Sequence, residues 1–396
     1  MSRTNQPKVS VILPSLNVKK YIKQCIESVI NQTLKDIEIL CVDAGSEDGT
    51  LEILKEYSEK DERIHVFLSN KKSYGAQVNQ GIANARGEYI SIVETDDYIK
   101  EDMLESLYNL SEFGYIDIVK STFYHVYEEE GEQKIVVDRA KKNLKYYGTI
   151  FLAKDHPLFL EGHPSIWAAI YKKSFLVENN ITFMEAPSGG WVDNPFLFET
   201  FLSAKTITYK DEPYYYYREL NPSSSTNDMK DLTLPMTRMM NNLDVIEQYS
   251  CHDEDILAAL YVRIFWHIHD LEKKDNFKEQ KPGVLKGFYD VLSRLDEDII
   301  KRRFKLKDQK TYYKYVSPIE ILDFDSDGSV ELSKKDYENI LKENEFLYER
   351  INDLEKQNAN LNKKNKTLKK ENQKLEDKIS EFKSRKVIKL VDKFKK

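Results

Sequence analysis

The sequence predicts an α/β protein built on a mostly parallel sheet, continued by a small helical region and closed by a C-terminal coiled coil. Three observations carry this. Residues 8–120 alternate short apolar runs with stretches of helical period. Residues 231–316 are dominated by amphipathic helical patterns. From Tyr337 onward the apolar residues follow a heptad. Strand, helix, strand in repetition means parallel pairing through right-handed crossovers.

Taken in order, the strands are KVSVILP, IEILCVD, RIHVFLS and EYISIVE, near-continuously apolar as expected when both faces of a sheet are covered. Helical patterns lie between them at Tyr21–Asn31, with Ile22, Cys25, Ile26, Val29 and Ile30 on one side, and at 49–60 and 75–86. Ligands bind such sheets outside the carboxyl ends of the strands. Those ends carry Pro14-Ser15-Leu16-Asn17, Asp43-Ala44-Gly45-Ser46, and the acids Glu94, Asp96 and Asp97, so all three stretches are expected in one crevice. Residues 121–230 are rich in aromatics, Gly and Pro (GHPSIW, APSGGWVDNPF, YYYYRELNPSSST), a composition suited to binding loops. The expected domains are 1–230, with halves 1–120 and 121–230, then a helical domain and linker over 231–335. A parallel coiled coil over 336–383 and a basic tail over 384–396 complete the chain.

Composition narrows the classes. The chain has 396 residues, 40% hydrophobic and 32% charged, enough for two or three domains with real cores. A net charge of −7 argues against wholesale nucleic-acid binding. Cys25, Cys41 and Cys251 are scattered, with neither a disulfide framework nor a metal spacing, which suits a reducing cytoplasm. The opening MSRTNQPKVS lacks the apolar core of a signal peptide, and no stretch reaches the roughly 18 apolar residues of a membrane span. A cytoplasmic protein is expected.

Three acids gather where the strand EYISIVE surfaces. Like charges this close repel and raise one another's pKa, so the cluster either meets a cation or is a solvated turn. Glu94 and Asp96 are two residues apart and in extended backbone point the same way. Oxygen ligands on one face of a strand end suit Mg2+ or Mn2+, completed by phosphates and water. Such a cation would stabilise a nucleotide leaving group.

SVILPSLN, CVDAGSEDGT, YGAQVNQG with its Gly-x-x-x-Asn, and GEYISIVETDD resemble, in order and spacing, the successive motifs of family-2 inverting glycosyltransferases with the GT-A fold, a Rossmann-like sheet. The resemblance covers about the first 110 residues. It implies a nucleotide-sugar site formed by Pro14, Leu16, Asn17, Asp43, Asn79, Glu94, Thr95, Asp96 and Arg218. GEYISIVETDD matches the family's DXD-type motif. That implies Asp96 as the metal ligand, Glu94 at the metal or ribose in place of the usual aspartate, and Asp97 as a support of the loop. Two departures fall on base recognition: Leu16 where an aromatic commonly stacks on the base, and Ala44 where a second Asp often follows the first. Family habit implies a UDP-linked donor.

Inverting transfer requires a general base on the acceptor hydroxyl. In SGGWVDNPFLFE the resemblance assigns that part to Asp193, with Trp191 beside it for stacking on an acceptor sugar and Glu199 and Glu185 as rivals. By residue chemistry alone Asp193 serves equally as a helix N-cap, and Trp191 as core. YYYYRELNPSSST resembles a segment that closes over the donor, with Arg218 on the diphosphate and Ser224, Ser225 and Thr226 on a loop. An arginine after four tyrosines also packs across rings. His163 and Trp167 sit where the family lines its acceptor cleft, although a lone histidine is more often structural.

DFDSDGSVELSK, 323–334, matches an EF-hand loop at positions 1, 3, 5 and 6, but Lys334 stands where the bidentate Glu belongs, so an acidic turn is the better reading. Beyond it Leu347, Leu354, Leu361, Leu368 and Leu375 occupy d, and Asn344, Ile351, Asn358, Asn365, Asn372 and Ile379 occupy a. Leu at d with Asn at a favours a parallel dimer in fixed register, here through 337–382. Lys364/Lys369, Glu371/Glu376 and Lys378/Lys383 would face like charge across it, but exposed pairs of this kind are worth only about 0.5 kcal/mol each. A trimer, a partner protein or a solvated single helix are the alternatives. The end, KSRKVIKLVDKFKK over 383–396, is basic and amphipathic and reads as attachment to an anionic membrane surface, with a frayed end as its alternative.

The expected function is therefore metal-dependent inverting transfer from a nucleotide-sugar to a hydroxyl of a cell-surface glycan or lipid-linked acceptor, at the inner face of the cell membrane. A nucleotidyltransferase is disfavoured because LPSLNVKK is no Gly-rich, basic phosphate loop. A non-catalytic nucleotide-sugar-binding scaffold organised by the coiled coil is the second alternative, against which intact Asp96 and Asp193 weigh.

Overall fold

The computed structural model describes residues 6–112, 114–129, 132–138, 149–186, 190–219, 231–274 and 281–316, and further on 357, 360, 361 and 363–378. The chain divides into two compact units, 1–299 and 300–396.

In the first unit strands and helices alternate as β1 (Val9–Ser15), α1 (Ile22–Ile30), β2 (Ile37–Asp43), α2 (Thr50–Ser58), β3 (Ile64–Leu68), α3 (Tyr74–Asn84) and β4 (Tyr89–Ile92). Every residue of β1, β2 and β4 is buried, which is why their sequences run apolar without alternation. β1 pairs in parallel with both β2 and β4, and β2 with β3. The chain thus winds outward through β2 and β3, then crosses back to β4 on the other side of β1. This reversal makes a switch point between β1 and β4, where an α/β sheet opens a crevice at its carboxyl edge. α1 buries Ile22, Cys25, Ile26 and Val29, the expected stripe, while Ile30 at its end is partly exposed.

The sheet continues through β5 (Tyr98–Ile99), α4 (Met103–Leu110), β6 (Ile118–Glu129), β7 (Glu132–Val137), α5 (Leu158–Glu161), β8 (Ala169–Lys172), α6 (Lys173–Glu178), α7 (Asp193–Ser203) and β9 (Ile207–Arg218). Its order is β3-β2-β1-β4-β8-β6-β9-β5, with β7 also on β6, nine strands among the described residues. β6 pairs with β8 through Ile118–Lys120 and with β7 through Tyr124–Glu129, both opposite β9. Irregular register between β6 and β9 around Ser121–Phe123 bends this half of the sheet. Along β9 the four tyrosines alternate faces, as a strand requires. Tyr215 and Tyr217 stack on Trp167, while Tyr216 stacks on Tyr98 and Tyr124.

The helices α8 (Leu234–Gln248), α9 (Glu254–Leu271) and α10 (Lys281–Leu292) fall in the first unit with the sheet. α8 packs on α7, and α9 on α5. α9 starts at Asp253, whose side chain accepts from the N–H groups of Asp255 and Ile256. It is buried over most of its circumference, Arg263 and His267 included.

α11 (Glu297–Arg303) spans the unit boundary, and the second unit holds α12 (Leu306–Val316) and a helical stretch to Lys378. In that stretch Leu361, Leu368 and Leu375, one heptad apart, are 59%, 47% and 55% exposed. The remaining heptad residues Leu347, Leu354, Asn344, Ile351, Asn358 and Ile379 lie outside the described residues, as do the 323–334 turn, Ser224–Thr226 and the tail 384–396. Among the described residues no helix is long and apolar enough to cross a membrane.

Candidate active site

At the carboxyl end of β2, Asp43 is fully buried and its carboxylate organises the loop that follows. Oδ1 accepts from the N–H groups of Gly45 and Ser46, and Oδ2 from the hydroxyls of Ser15 and Ser46. Asn17 has a positive φ of 55°, and it pins the β1 loop to the same turn. Its N–H donates to Ser46 Oγ, and its side-chain oxygen accepts from the Glu47 N–H, both at 2.9 Å. Leu16 is thereby presented exposed at the mouth. Behind it the buried Gln77 of α3 donates to the carbonyls of Ser15 and Val42, tying the ends of β1 and β2 together. Asp43 and Asn17 thus shape the loops at the crevice.

The acid turn is built from the opposite side. Thr95 Oγ1 donates to the Pro14 carbonyl at 2.7 Å, holding the turn against β1. The Asp97 N–H donates to the Glu94 carbonyl at 3.0 Å, closing the turn. Asp97 itself is buried and accepts from Tyr215 Oη at 3.0 Å and from the Arg218 N–H at 2.8 Å. Burial first, and then the charge of Asp96, hold its pKa well above the carboxylate range. Tyr215 Oη also accepts from the Glu94 N–H at 3.0 Å. Arg218 is buried behind the turn: its guanidinium donates to the Asp96 carbonyl and to the Gln24 side chain. It lies over the rings of Tyr21 and Tyr98, not over the tyrosines that precede it. Arg218 was expected on the diphosphate, and the structure engages its guanidinium in holding the backbone of Asp96.

This leaves Glu94 and Asp96 partly exposed to the crevice. Glu94 Oε1 accepts from Tyr74 Oη at 2.5 Å. Its pKa is pushed up to about 8, by burial first, with the charges of Asp96 and Asp193 adding to it. Packing ties Asp193 to the acid turn although it lies far away in sequence: Tyr74 meets Phe183 edge-on, and Phe183 stacks on Phe196 of α7. Asp193 is the first residue of α7, with Val192 at the cap position, so the N-cap reading does not describe it. Asn194 Nδ2 donates to its Oδ1 at 3.1 Å. Burial raises its pKa, and the charge of Arg263 and the Asn194 hydrogen bond oppose that rise. Trp191, at a positive φ of 64°, sits beside it with its ring 4.8 Å from His267.

Asn79 is committed elsewhere. Its amide exchanges two hydrogen bonds with the backbone of Phe183, at 2.8 and 2.9 Å, in the segment leading to Asp193. Glu185, one of the rivals for the base, pairs with Lys71, and burial raises the pKa of the other, Glu199. His163 lies in an aromatic group with Phe123, Trp167 and Tyr217. Sequence reasoning missed Tyr74, Gln77, Tyr215 and Arg263; each is an ordinary residue in its local pattern, and only long-range pairing marks it.

Among the described residues no three His, Cys, Asp or Glu side chains gather into a metal cage. Glu94 and Asp96 nonetheless fit a hard divalent cation of the open kind, which takes one or two carboxylates and completes its shell with phosphates and water. Burial is the main cause of the raised Glu94 pKa, and the repulsion from Asp96 and Asp193 that adds to it is what such a cation would relieve.

Comparison with known proteins bears on the family and the fold. Residues 10–175 match the model for glycosyl transferase family 2. The chain is 33% identical over 223 residues to the uncharacterized glycosyltransferase EpsJ of Bacillus subtilis (strain 168), 56% of this chain and 63% of that protein. It is 32% identical over 217 residues to the poly(ribitol-phosphate) beta-glucosyltransferase of Bacillus spizizenii, 53% of this chain and 32% of that protein. It thus spans less than two thirds of either relative. Among solved structures, S. aureus TarS 1–349 in complex with UDP-GlcNAc superposes with a TM-score of 0.63 at 19% identity, covering 82% of this chain and 96% of that one. Over residues 10–175, then, this chain resembles glycosyl transferase family 2, on the fold of the GT-A glycosyltransferases.

Proposed function

We propose that the chain transfers a sugar from a UDP-linked donor to an acceptor hydroxyl, with inversion at the anomeric carbon and with Mg2+ or Mn2+. One observation carries the reading: Tyr74 donates to Glu94 at 2.5 Å and meets Phe183 edge-on, and Phe183 stacks on Phe196 of α7, the helix that opens with Asp193, so the acid turn and Asp193 are joined by packing. A crevice at a sheet's switch point, with an acid pair on one wall and a separate acid on the other, suits transfer from a nucleotide-sugar. Asp193 takes the acceptor proton as that oxygen attacks the anomeric carbon and the diphosphate leaves. Burial of its carboxylate favours this, because a base works best with a pKa nearer the operating pH. A divalent cation at Glu94 and Asp96 would supply positive charge to the leaving diphosphate. Trp191 would stack on the acceptor sugar.

The TarS complexes with UDP-GlcNAc and UDP support a UDP-linked donor, with Leu16 against the base where an aromatic is usual. The relative named for glucosyl transfer to poly(ribitol-phosphate) supports a cell-surface glycan or lipid-linked acceptor. Exposed Leu361, Leu368 and Leu375 support a homodimer through 337–382, and the basic tail 383–396 supports contact with an anionic membrane at the cytoplasmic face.

The test is release of nucleoside diphosphate from a panel of nucleotide-sugars, with Mn2+ or with EDTA. Turnover of a UDP-sugar is expected, abolished by EDTA and lowered at least ~100-fold in Asp96→Ala and in Asp193→Asn. Wild-type turnover that survives both substitutions would sink the assignment.

A further inference from the structure

A buried hydrogen-bond chain runs from α9 to the carboxylate of Asp193. Arg263 and Asn194 are 4% and 3% exposed. The Arg263 guanidinium donates to the Asn194 side-chain oxygen and to the Gly162 carbonyl, with the Leu160 carbonyl at 3.4 Å. The other end of the same amide, Asn194 Nδ2, donates to Asp193 Oδ1 at 3.1 Å and to the Trp191 carbonyl at 3.3 Å. A guanidinium has donors and no acceptor, so it dictates which way the amide faces. With the oxygen drawn to Arg263, the NH2 must face Asp193. The reversed amide would set its oxygen against a carboxylate and its NH2 against a cation.

We propose that Arg263 and Asn194 are positioning residues for Asp193: the guanidinium fixes the amide, and the amide fixes the carboxylate for proton transfer. This rests on the reading of Asp193 as the base. It also gives the helical region a part in the chemistry, because Arg263 holds the 160–162 backbone of the acceptor half with one nitrogen and the base's neighbour with the other. His267 follows one turn later on the same face of α9 and backs Trp191. Burial and the Arg263 charge push its pKa down to about 3, so it stays neutral there and brings no second cation. The charge of Asp193 also reaches Arg238 on α8, Glu94 at the end of β4, and the neutral phenols of Tyr74 on α3, Tyr171 on β8 and Tyr217 on β9. The side chain that hydrogen-bonds its carboxylate is Asn194.

The experiment reads Asp193 directly, by 13C NMR titration of full-length protein carrying carboxyl-labelled aspartate, with the signal assigned by Asp193→Asn. Arg263→Met and Asn194→Leu are each expected to raise the Asp193 pKa by about one unit, through loss of charge or of the hydrogen bond. Arg263→Lys, which keeps the charge but not the fork, is expected to restore part of the shift. On a UDP-sugar that turns over, kcat should fall about 10- to 100-fold in the first two variants, with the donor KM unchanged. Asn194→Leu leaves Arg263 on its carbonyls and tests the link if Arg263→Met does not fold. An unmoved Asp193 titration in a variant that melts like wild type overturns the proposal. A titration that moves while wild type turns over no donor keeps the linkage and removes the reading of Asp193 as a base.

Discussion

Tyr215 uses one hydroxyl twice, accepting from the Glu94 N–H and donating to Asp97, so a single side chain on β9 holds both ends of the acid turn. His125 does comparable work where β9 ends. It lies against Glu219 and Asp138, and hydrogen bonding to Asp138 and Glu219 raises its pKa from 6.5 to about 9. Between those values the folded chain keeps a proton that the unfolded chain has lost, so stability falls as pH rises through the window and is intact below it. The shift is worth on the order of 3 kcal/mol. The melting temperature should drop from pH 6.5 to 9 with a component that His125→Gln lacks. Equal slopes in the two proteins would show that the imidazolium contributes nothing.

At the scale of elements, the Gly-x-x-x-Asn motif explains itself as one face of α3. Gly75 and Asn79 are four residues apart and so lie on the same side of the helix. The segment that leads to Asp193 docks there: Asn79 bonds the Phe183 backbone, and a Cβ on Gly75 would stand 2.1 Å from the Met184 carbonyl oxygen. Backbone cannot yield as a flexible side chain can. Gly75→Ala should therefore cost about 1–3 kcal/mol in urea denaturation. Gly162→Ala, where a Cβ meets nothing within 4 Å, should stay within about 0.5 kcal/mol of wild type. Similar losses for both would mean that close approach is not what the motif preserves.

For the whole molecule, three leucines one heptad apart stand exposed on a single chain, a poor arrangement for a lone helix in water. Sedimentation velocity should find the full-length chain dimeric, and a Leu361→Asn, Leu368→Asn, Leu375→Asn variant monomeric with sugar turnover per chain unchanged. A monomeric wild type would return the segment to a solvated helix. The first unit is where turnover is expected to reside, since Glu94, Asp96, Asp193 and Arg263 all belong to it.

The parallel half of the sheet was legible because its cause is local. β1, β2 and β4 are covered on both faces, and that leaves unbroken apolar runs such as VSVILPS and IEILCVD in the sequence. The carboxyl ends of those runs then named Asn17, Asp43, Glu94 and Asp96, because a switch point opens at that edge of any such sheet. The parts given to Asp97, Asp193 and Arg218 came instead from likeness to a family. Folding sorted these residues into different work. It turned Asp43 and Arg218 inward as struts for loops and bound half-buried Asn79 to the Phe183 backbone, while Glu94 and Asp96 remained partly exposed. It also brought up residues that no period announces: Tyr215 meets Asp97 across 118 positions, and Arg263 meets Asn194 across 69. Strand and helix periods follow from backbone geometry within a few residues. The partner of a buried polar group depends on which surfaces pack together, and the chain settles that only when the sheet, α7 and α9 close on one another.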